Sequence, residues 1–295
     1  MQEIGRLNGL IRALEAGETA FATFSPAEFG SVTAIASAPY DAVFIEMEHN
    51  PFDVRALREC LHYMLDRRRI VASGSVAPAV TPMVRIPPNG SEMNQWIAKQ
   101  VLDQGVYGIV WPHVSTVEEA LNAVSACRYP RPASSERFEP AGKRGDNTSA
   151  ARYWGLTTQE YYARADVWPL DPKGEIFVAI MVEEVLAIRN LPRMLKEVPG
   201  IGAVIIGESD LSQDLGVARQ YDSPTLISAV DDILAICHEH DVPCGMPHVG
   251  AKRVDSMLKK GMRLLITPPE RTFNGLETGL RATGRSKGIA AADKH

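Results

Sequence analysis

The sequence predicts an α/β protein built as a (β/α)8 TIM barrel, and three observations predict it. Short apolar, β-branched runs alternate with longer amphipathic segments along most of the 295 residues. No Asn-Gly or Asp-Gly turn joins two alternating runs, so the strands read as parallel and helix-connected rather than as hairpins. Ionisable residues collect where the apolar runs end, which is the end of a barrel that carries chemistry. About eight strand–helix units with right-handed connections close most naturally into a ring. An open doubly wound sheet is the alternative, but no Gly-x-Gly-x-x-Gly follows the first run.

The elements follow in order. Residues 19–24 and 42–45 read as the first two strands. Residues 53–66 place Val54, Leu57, Leu61 and Leu65 at helical spacing behind Asp53, an N-cap residue type. A third strand over 80–84, a helix over 91–102 and a fourth strand over 107–111 come next. The helix over 116–127 opens with Glu118 and Glu119, which suit the positive end of its dipole. Strands over 176–182, 203–206 and 264–267, with a weaker one near 243–246, alternate with helices over 184–196, 226–240 and 252–260. Residues 129–171 break the rhythm: they hold Pro130, Pro132, Pro140 and Pro169 and are too long for an ordinary connection. The expected organisation is one barrel domain over 1–287 with that insertion, followed by a disordered tail over 288–295.

Composition narrows the function classes. The chain is 45% hydrophobic and 23% charged with a net charge of -5, which argues against nucleic-acid or anionic-membrane partners. The four cysteines form no Cys-x-x-Cys pair and read as free buried thiols in a reducing compartment. No apolar stretch approaches the roughly 18 residues of a membrane span, and the N-terminus lacks signal-peptide regions, so the cytoplasm is expected.

Candidate site residues stand at the strand ends. Ile180-Met181-Val182-Glu183 and Ile205-Ile206-Gly207-Glu208-Ser209-Asp210 are apolar runs that finish in acids. Glu183 and Asp210 are candidate ligands of a hard divalent cation, magnesium or manganese, with cobalt as a further candidate. Capping of the helices that follow them is the alternative reading of both acids. His49, directly after a buried strand and beside Glu46 and Glu48, is a candidate acid–base. Arg85 ends a strand before Ile86-Pro87-Pro88, where a guanidinium suits a carboxylate or a developing enolate. The Gly207–Asp210 turn offers backbone N–H groups to a small carboxylate. His113 and His248 line the cavity or are satisfied loop residues. The Gly142-Lys143-Arg144-Gly145 loop is expected to reach over the mouth, with a surface excursion or a subunit contact as alternatives.

These residues carry a resemblance to the HpcH/HpaI aldolase/citrate lyase family of metal-dependent (class II) pyruvate aldolases, which includes the 4-hydroxy-2-oxoheptanedioate aldolases. It runs from about Phe21 to Pro269 through Asp41-Ala42-Val43-Phe44-Ile45-Glu46-Met47-Glu48-His49, Met83-Val84-Arg85, Gly142-Lys143-Arg144-Gly145 and Ile206-Gly207-Glu208-Ser209-Asp210-Leu211-Ser212. The resemblance implies Glu183 and Asp210 as the metal ligands and His49 as the base at the substrate 4-hydroxyl, oriented by Asp103. It implies Arg85 at the pyruvate C2 oxygen, backbone N–H groups of Ser209 and Asp210 on the pyruvate carboxylate, and a homo-hexamer, a trimer of dimers. The chain departs from the family pattern at Glu46 (Asp in the family), Met181 (Gln) and Glu208 (Pro), and in the length of the insertion.

The activity so implied is reversible cleavage of a 4-hydroxy-2-oxo acid to pyruvate and an aldehyde, with oxaloacetate decarboxylation on the side. No Lys stands at a strand end to form a Schiff base. A citrate-lyase-β-like lyase of coenzyme-A esters and a catalytically inactive metabolite-binding barrel are the competing functions.

Overall fold

A computed structural model describes residues 4–268 and 273–285; the tail expected over 288–295 lies outside the described residues. Among the described residues there are nine parallel strands: β1 (Ala20–Pro26), β2 (Ala42–Glu46), β3 (Thr81–Arg85), β4 (Gly108–Trp111), β5 (Val167–Trp168), β6 (Ile176–Val182), β7 (Ala203–Ile206), β8 (Cys244–Met246) and β9 (Leu264–Thr267). The sheet runs β4-β3-β2-β1-β9-β8-β7-β6 and closes where β4 pairs β6, giving the eight-stranded ring of a (β/α)8 barrel. The two-residue β5 lies outside that ring, beside the start of β6.

Buried parallel strands show no polar alternation, but successive side chains still point to opposite faces. On β2, Ala42 and Phe44 pack inside the ring while Val43 and Ile45 pack outward against helices. On β6, Phe177, Ala179 and Met181 are inward and Ile176, Val178, Ile180 and Val182 outward. Continuing the two-residue step, the next inward positions are Glu46 after Phe44, Arg85 after Met83 and Glu183 after Met181. The strands themselves aim these charged groups into the barrel mouth.

The opposite end is plugged by helix Gly9–Glu15, which puts Leu10, Ile11, Ala13 and Leu14 into the inner core. Buried Glu175 fastens it by accepting from the Leu7 and Asn8 N–H groups at 3.0 and 2.9 Å. The expected cap is present, Asp53 accepting from the Arg55 and Ala56 N–H groups, and Thr116 and Glu119 form a capping box at the next expected helix start. The helix expected over 91–102 is a 3-10 turn, Gly90–Glu92, and a helix, Gln95–Leu102.

The insertion packs against the plugged end. Trp154 stacks on Tyr107 at 4.3 Å and donates to the Gly105 carbonyl at 2.8 Å. Fully buried Arg128 binds Asp166 at 2.6 Å. The expectation that Gly142-Lys143-Arg144-Gly145 reaches over the mouth of its own barrel is not met. The Lys143 and Arg144 N–H groups bind the Ser125 and Arg128 carbonyls, and the Arg144 guanidinium is buried against Asp103 and Tyr161. Two arginine–carboxylate pairs at that end hold the loop where an excursion to the mouth would leave buried charges unpaired. All four cysteines are free and buried, and no helix among the described residues is long and apolar enough to cross a membrane.

Candidate active site

A cavity of about 540 Å³ opens at the C-terminal ends of the strands, and His49, Arg85, Glu183, Ser209 and Asp210 all line it. Glu46, at the end of β2, organises one wall. One of its oxygens accepts from the Glu48 and His49 N–H groups at 2.8 and 3.3 Å, fixing the turn that presents His49. The other accepts from Arg85 Nε at 2.8 Å and from Arg85 Nη2. Arg85 Nη1 lies 2.9 Å from Glu48 Oε2, and the guanidinium covers the Phe24 ring at 4.5 Å. Arg85 is thus a cation held in one orientation by two carboxylates and an aromatic face. Burial raises the Glu48 carboxyl above its ordinary range against the pull of Arg85. The His49 ring is 67% exposed, with Nε2 3.6 Å from Glu48 Oε2, so it is free to meet a ligand.

The opposite wall carries the acids. Glu183 is 2% exposed, and burial pushes its carboxyl up to about 7 despite nearby His113. Its Oε1 accepts from the His113 N–H at 2.8 Å. It caps no helix: the N-cap is Glu184, and the Val185 N–H binds Asp214 at 2.6 Å. The space for Glu183 is made by Gly207, where a Cβ would sit 2.1 Å from Glu183 Oε2. Asp210 stands in the first turn of helix Glu208–Asp214 and makes no capping hydrogen bond. Donor atoms of His113, Glu183 and Asp210 all lie within 4.8 Å of one another. A buried carboxylate, a second acid and an imidazole converging on one point fit a divalent cation, whose charge would offset the burial of Glu183.

His113 is the residue that sequence reasoning left among general cavity-lining candidates. Its φ of 48° turns the chain sharply after β4. Burial opposes a charge on its ring, yet Glu183 and the hydrogen-bonded Glu184 raise its pKa overall. The signal was the strand end Trp111-Pro112-His113, but convergence on Glu183 follows from the β4–β6 register, Trp111 opposite Ile180. Arg219, Tyr221 and Arg253 also line the cavity and were not singled out. Arg253 binds both oxygens of Glu208 at 2.8 and 2.9 Å, so that carboxylate is committed to a guanidinium. Burial and Arg85 lower the pKa of His248, which faces Phe24 at 6.0 Å.

Asp103 is not brought to His49 within the chain. It caps the C-terminus of helix Gln95–Leu102, at the end of the barrel where β4 begins, and binds Arg144 at 3.2 Å and Asn147 at 3.1 Å. The helix runs back down the barrel after β3, which places its last residue at the foot.

With this geometry in hand, comparisons with known proteins agree on one lineage. The HpcH/HpaI aldolase/citrate lyase family matches residues 22–265. A hydroxypyruvate/pyruvate aldolase of Roseobacter denitrificans is 30% identical over 225 residues, 76% of each chain. A 4-hydroxy-4-methyl-2-oxoglutarate aldolase, tasA, of Hapsidospora irregularis is 28% identical over 216 residues, 71% of this chain and 67% of that one. A crystal structure of a family protein from Burkholderia cenocepacia superposes with a TM-score of 0.73 at 25% identity, covering 94% of this chain and 97% of that one. The match spans most of the barrel, and the chain belongs to the HpcH/HpaI aldolase/citrate lyase family.

Proposed function

We propose that this chain is a divalent-metal-dependent aldolase that reversibly cleaves a 4-hydroxy-2-oxo acid to pyruvate and an aldehyde, with oxaloacetate decarboxylation as a side activity. The observation that carries the reading is the convergence of Glu183 and Asp210 in the cavity that also holds His49 and Arg85. The relatives named as aldolases support it.

A divalent cation held by Glu183 and Asp210 would act as a Lewis acid toward the oxo-acid oxygens. The rest of the chemistry belongs to the chain. The N–H groups of Ser209 and Asp210, in the first helical turn, have no intrahelical acceptor and would receive the substrate carboxylate. Arg85, fixed by Glu46 and Glu48, would donate to the C2 oxygen, where negative charge grows as the bond breaks. His49 would take the proton from the 4-hydroxyl. The C3–C4 electron pair then moves toward C2 and its oxygen as the aldehyde leaves, and a proton returned to C3 completes pyruvate. The same resemblance supports a homo-oligomer, whose number light scattering in solution would give.

Dialysis against EDTA should abolish pyruvate release from a 4-hydroxy-2-oxo acid, and added manganese or magnesium should restore it. Glu183→Ala and Asp210→Ala should remove both turnover and cation binding. Wild-type activity in either variant, or no turnover by the wild type under any metal, would overturn the reading; the second outcome would leave a binding barrel. His49→Ala should reduce aldol cleavage by about 10²-fold or more. It should spare oxaloacetate decarboxylation, in which no hydroxyl is deprotonated; equal losses in the two reactions would remove His49 from the 4-hydroxyl.

A further inference from the structure

We propose that His113 is a third protein ligand of the cation, supplying an imidazole nitrogen to a site otherwise made of carboxylates, and that Glu184 and Ser115 position it. The inference rests on the reading of Glu183 and Asp210 as cation ligands and extends it to the identity of the metal. His113 Nε2 lies 3.8 Å from Glu183 Oε1. Two donors each about 2.1 Å from one cation are separated by at most about 4.2 Å, so the pair spans a single ion. Asp210 stands within 4.8 Å of both, at the edge of that reach, so its side chain would draw in on the ion to complete the group.

The ring is oriented from behind. Nδ1 lies 3.1 Å from Glu184 Oε1, and the other Glu184 oxygen accepts from Ser115 Oγ at 2.6 Å. An ionised carboxylate can only accept, so Nδ1 carries a proton, and in the neutral ring the Nε2 lone pair is then the one turned to the cavity. A carboxylate behind an imidazole is the arrangement that fixes tautomer and ring direction in metal-ligating histidines. The backbone contributes as well: the left-handed turn at His113 and its N–H bond to Glu183 place ring and carboxylate side by side.

One nitrogen and two carboxylates suit borderline first-row cations, cobalt, nickel or zinc, better than magnesium, which favours oxygen and keeps its water. The chain is therefore expected to discriminate against magnesium more strongly than Glu183 and Asp210 alone would.

The test uses the full chain stripped of metal and reloaded with manganese alone, followed by pulsed electron paramagnetic resonance of the bound ion. The wild type should show nitrogen modulation from a directly bound imidazole. His113→Asn should abolish it, lower cobalt affinity about tenfold or more and leave magnesium affinity within about threefold. Asparagine tolerates a left-handed backbone, so this variant keeps the turn. Glu184→Gln, which leaves the ring present but weakens its support, should retain the nitrogen signal and lower cobalt affinity. A nitrogen signal that survives His113→Asn, or its absence from the wild type, overturns the proposal: His113 would then be an imidazolium paired with Glu183 and Glu184. Manganese binding that is unchanged in both Glu183→Ala and Asp210→Ala overturns the underlying ligand assignment instead, so the two failures are separable.

Discussion

At the scale of the residue, Gly207 and Glu183 form a unit that neither forms alone. The absent side chain of Gly207 is the room into which the Glu183 carboxylate folds, with only 2.1 Å between a would-be Cβ and Oε2. The backbone at Gly207 is ordinary, with φ of -87°. The constraint is therefore one of space and not of conformation. Gly207→Ala is expected to push Glu183 out of its position, lowering stability by about 1–3 kcal/mol, the usual cost of overpacking, and removing manganese binding. Thermal unfolding and a manganese titration check it; an alanine variant that binds manganese as the wild type does would show that Glu183 is not seated there. Glu46 works in the same way at the other wall, since one carboxylate fixes both the His49 turn and the Arg85 guanidinium.

At the scale of the element, the insertion shows what a long irregular segment needs in order to be held. Arg128 has no exposure and Asp166 little, and Arg131 brings a second guanidinium to the same carboxylate. Burial alone would raise the Asp166 pKa, but the Arg128 hydrogen bond and charge overcome it and hold the group below its ordinary value. A carboxyl depressed in the folded chain contributes stability that is present above its unfolded pKa, about 3.9, and is lost as pH falls through the lower folded value. Asp166→Asn is therefore expected to cost about 3 kcal/mol at pH 7, where it leaves Arg128 short of its partner. That gap from the wild type should narrow below about pH 4. Urea unfolding at pH 7, 5 and 3 measures it, and a gap that is equal at all three would mean the pair does not titrate with folding. The insertion's aromatic residues were visible in the sequence, but their destination was not. Trp154 and Tyr161 pack at the foot because helix Gln95–Leu102 ends there, exposing Gly105 and Tyr107 to be covered.

At the scale of the whole molecule, the ring and its polar mouth were legible because buried parallel strands leave unbroken apolar runs, and an acid closing such a run stands out. The placement of Glu183 and Asp210 at the cavity was readable for that reason, and His49 and Arg85 likewise follow strand ends. Three features were not readable. The seven-residue plug Gly9–Glu15 is too short to declare a helical period. The convergence of His113 on Glu183 depends on how β4 and β6 are aligned, a long-range fact that no local pattern contains. Within the single chain, Asp103 and the Gly142–Gly145 loop lie at the foot, a placement set by chain direction that no local pattern of theirs declares.

The alternation of inward and outward positions along β6 has a further consequence. Removing a single amino acid between Phe177 and Val182 would rotate every residue beyond the gap by half a turn, sending Glu183 to the helical side and Val182 into the pocket. A scan of one-codon deletions through the gene should therefore give a comb: silent teeth in the connections and total loss of the aldol cleavage proposed above within each stave of the ring. A tolerated deletion in the middle of that stave would mean the wall can slide, and that the chemistry is less rigidly mounted than its neighbours' packing implies.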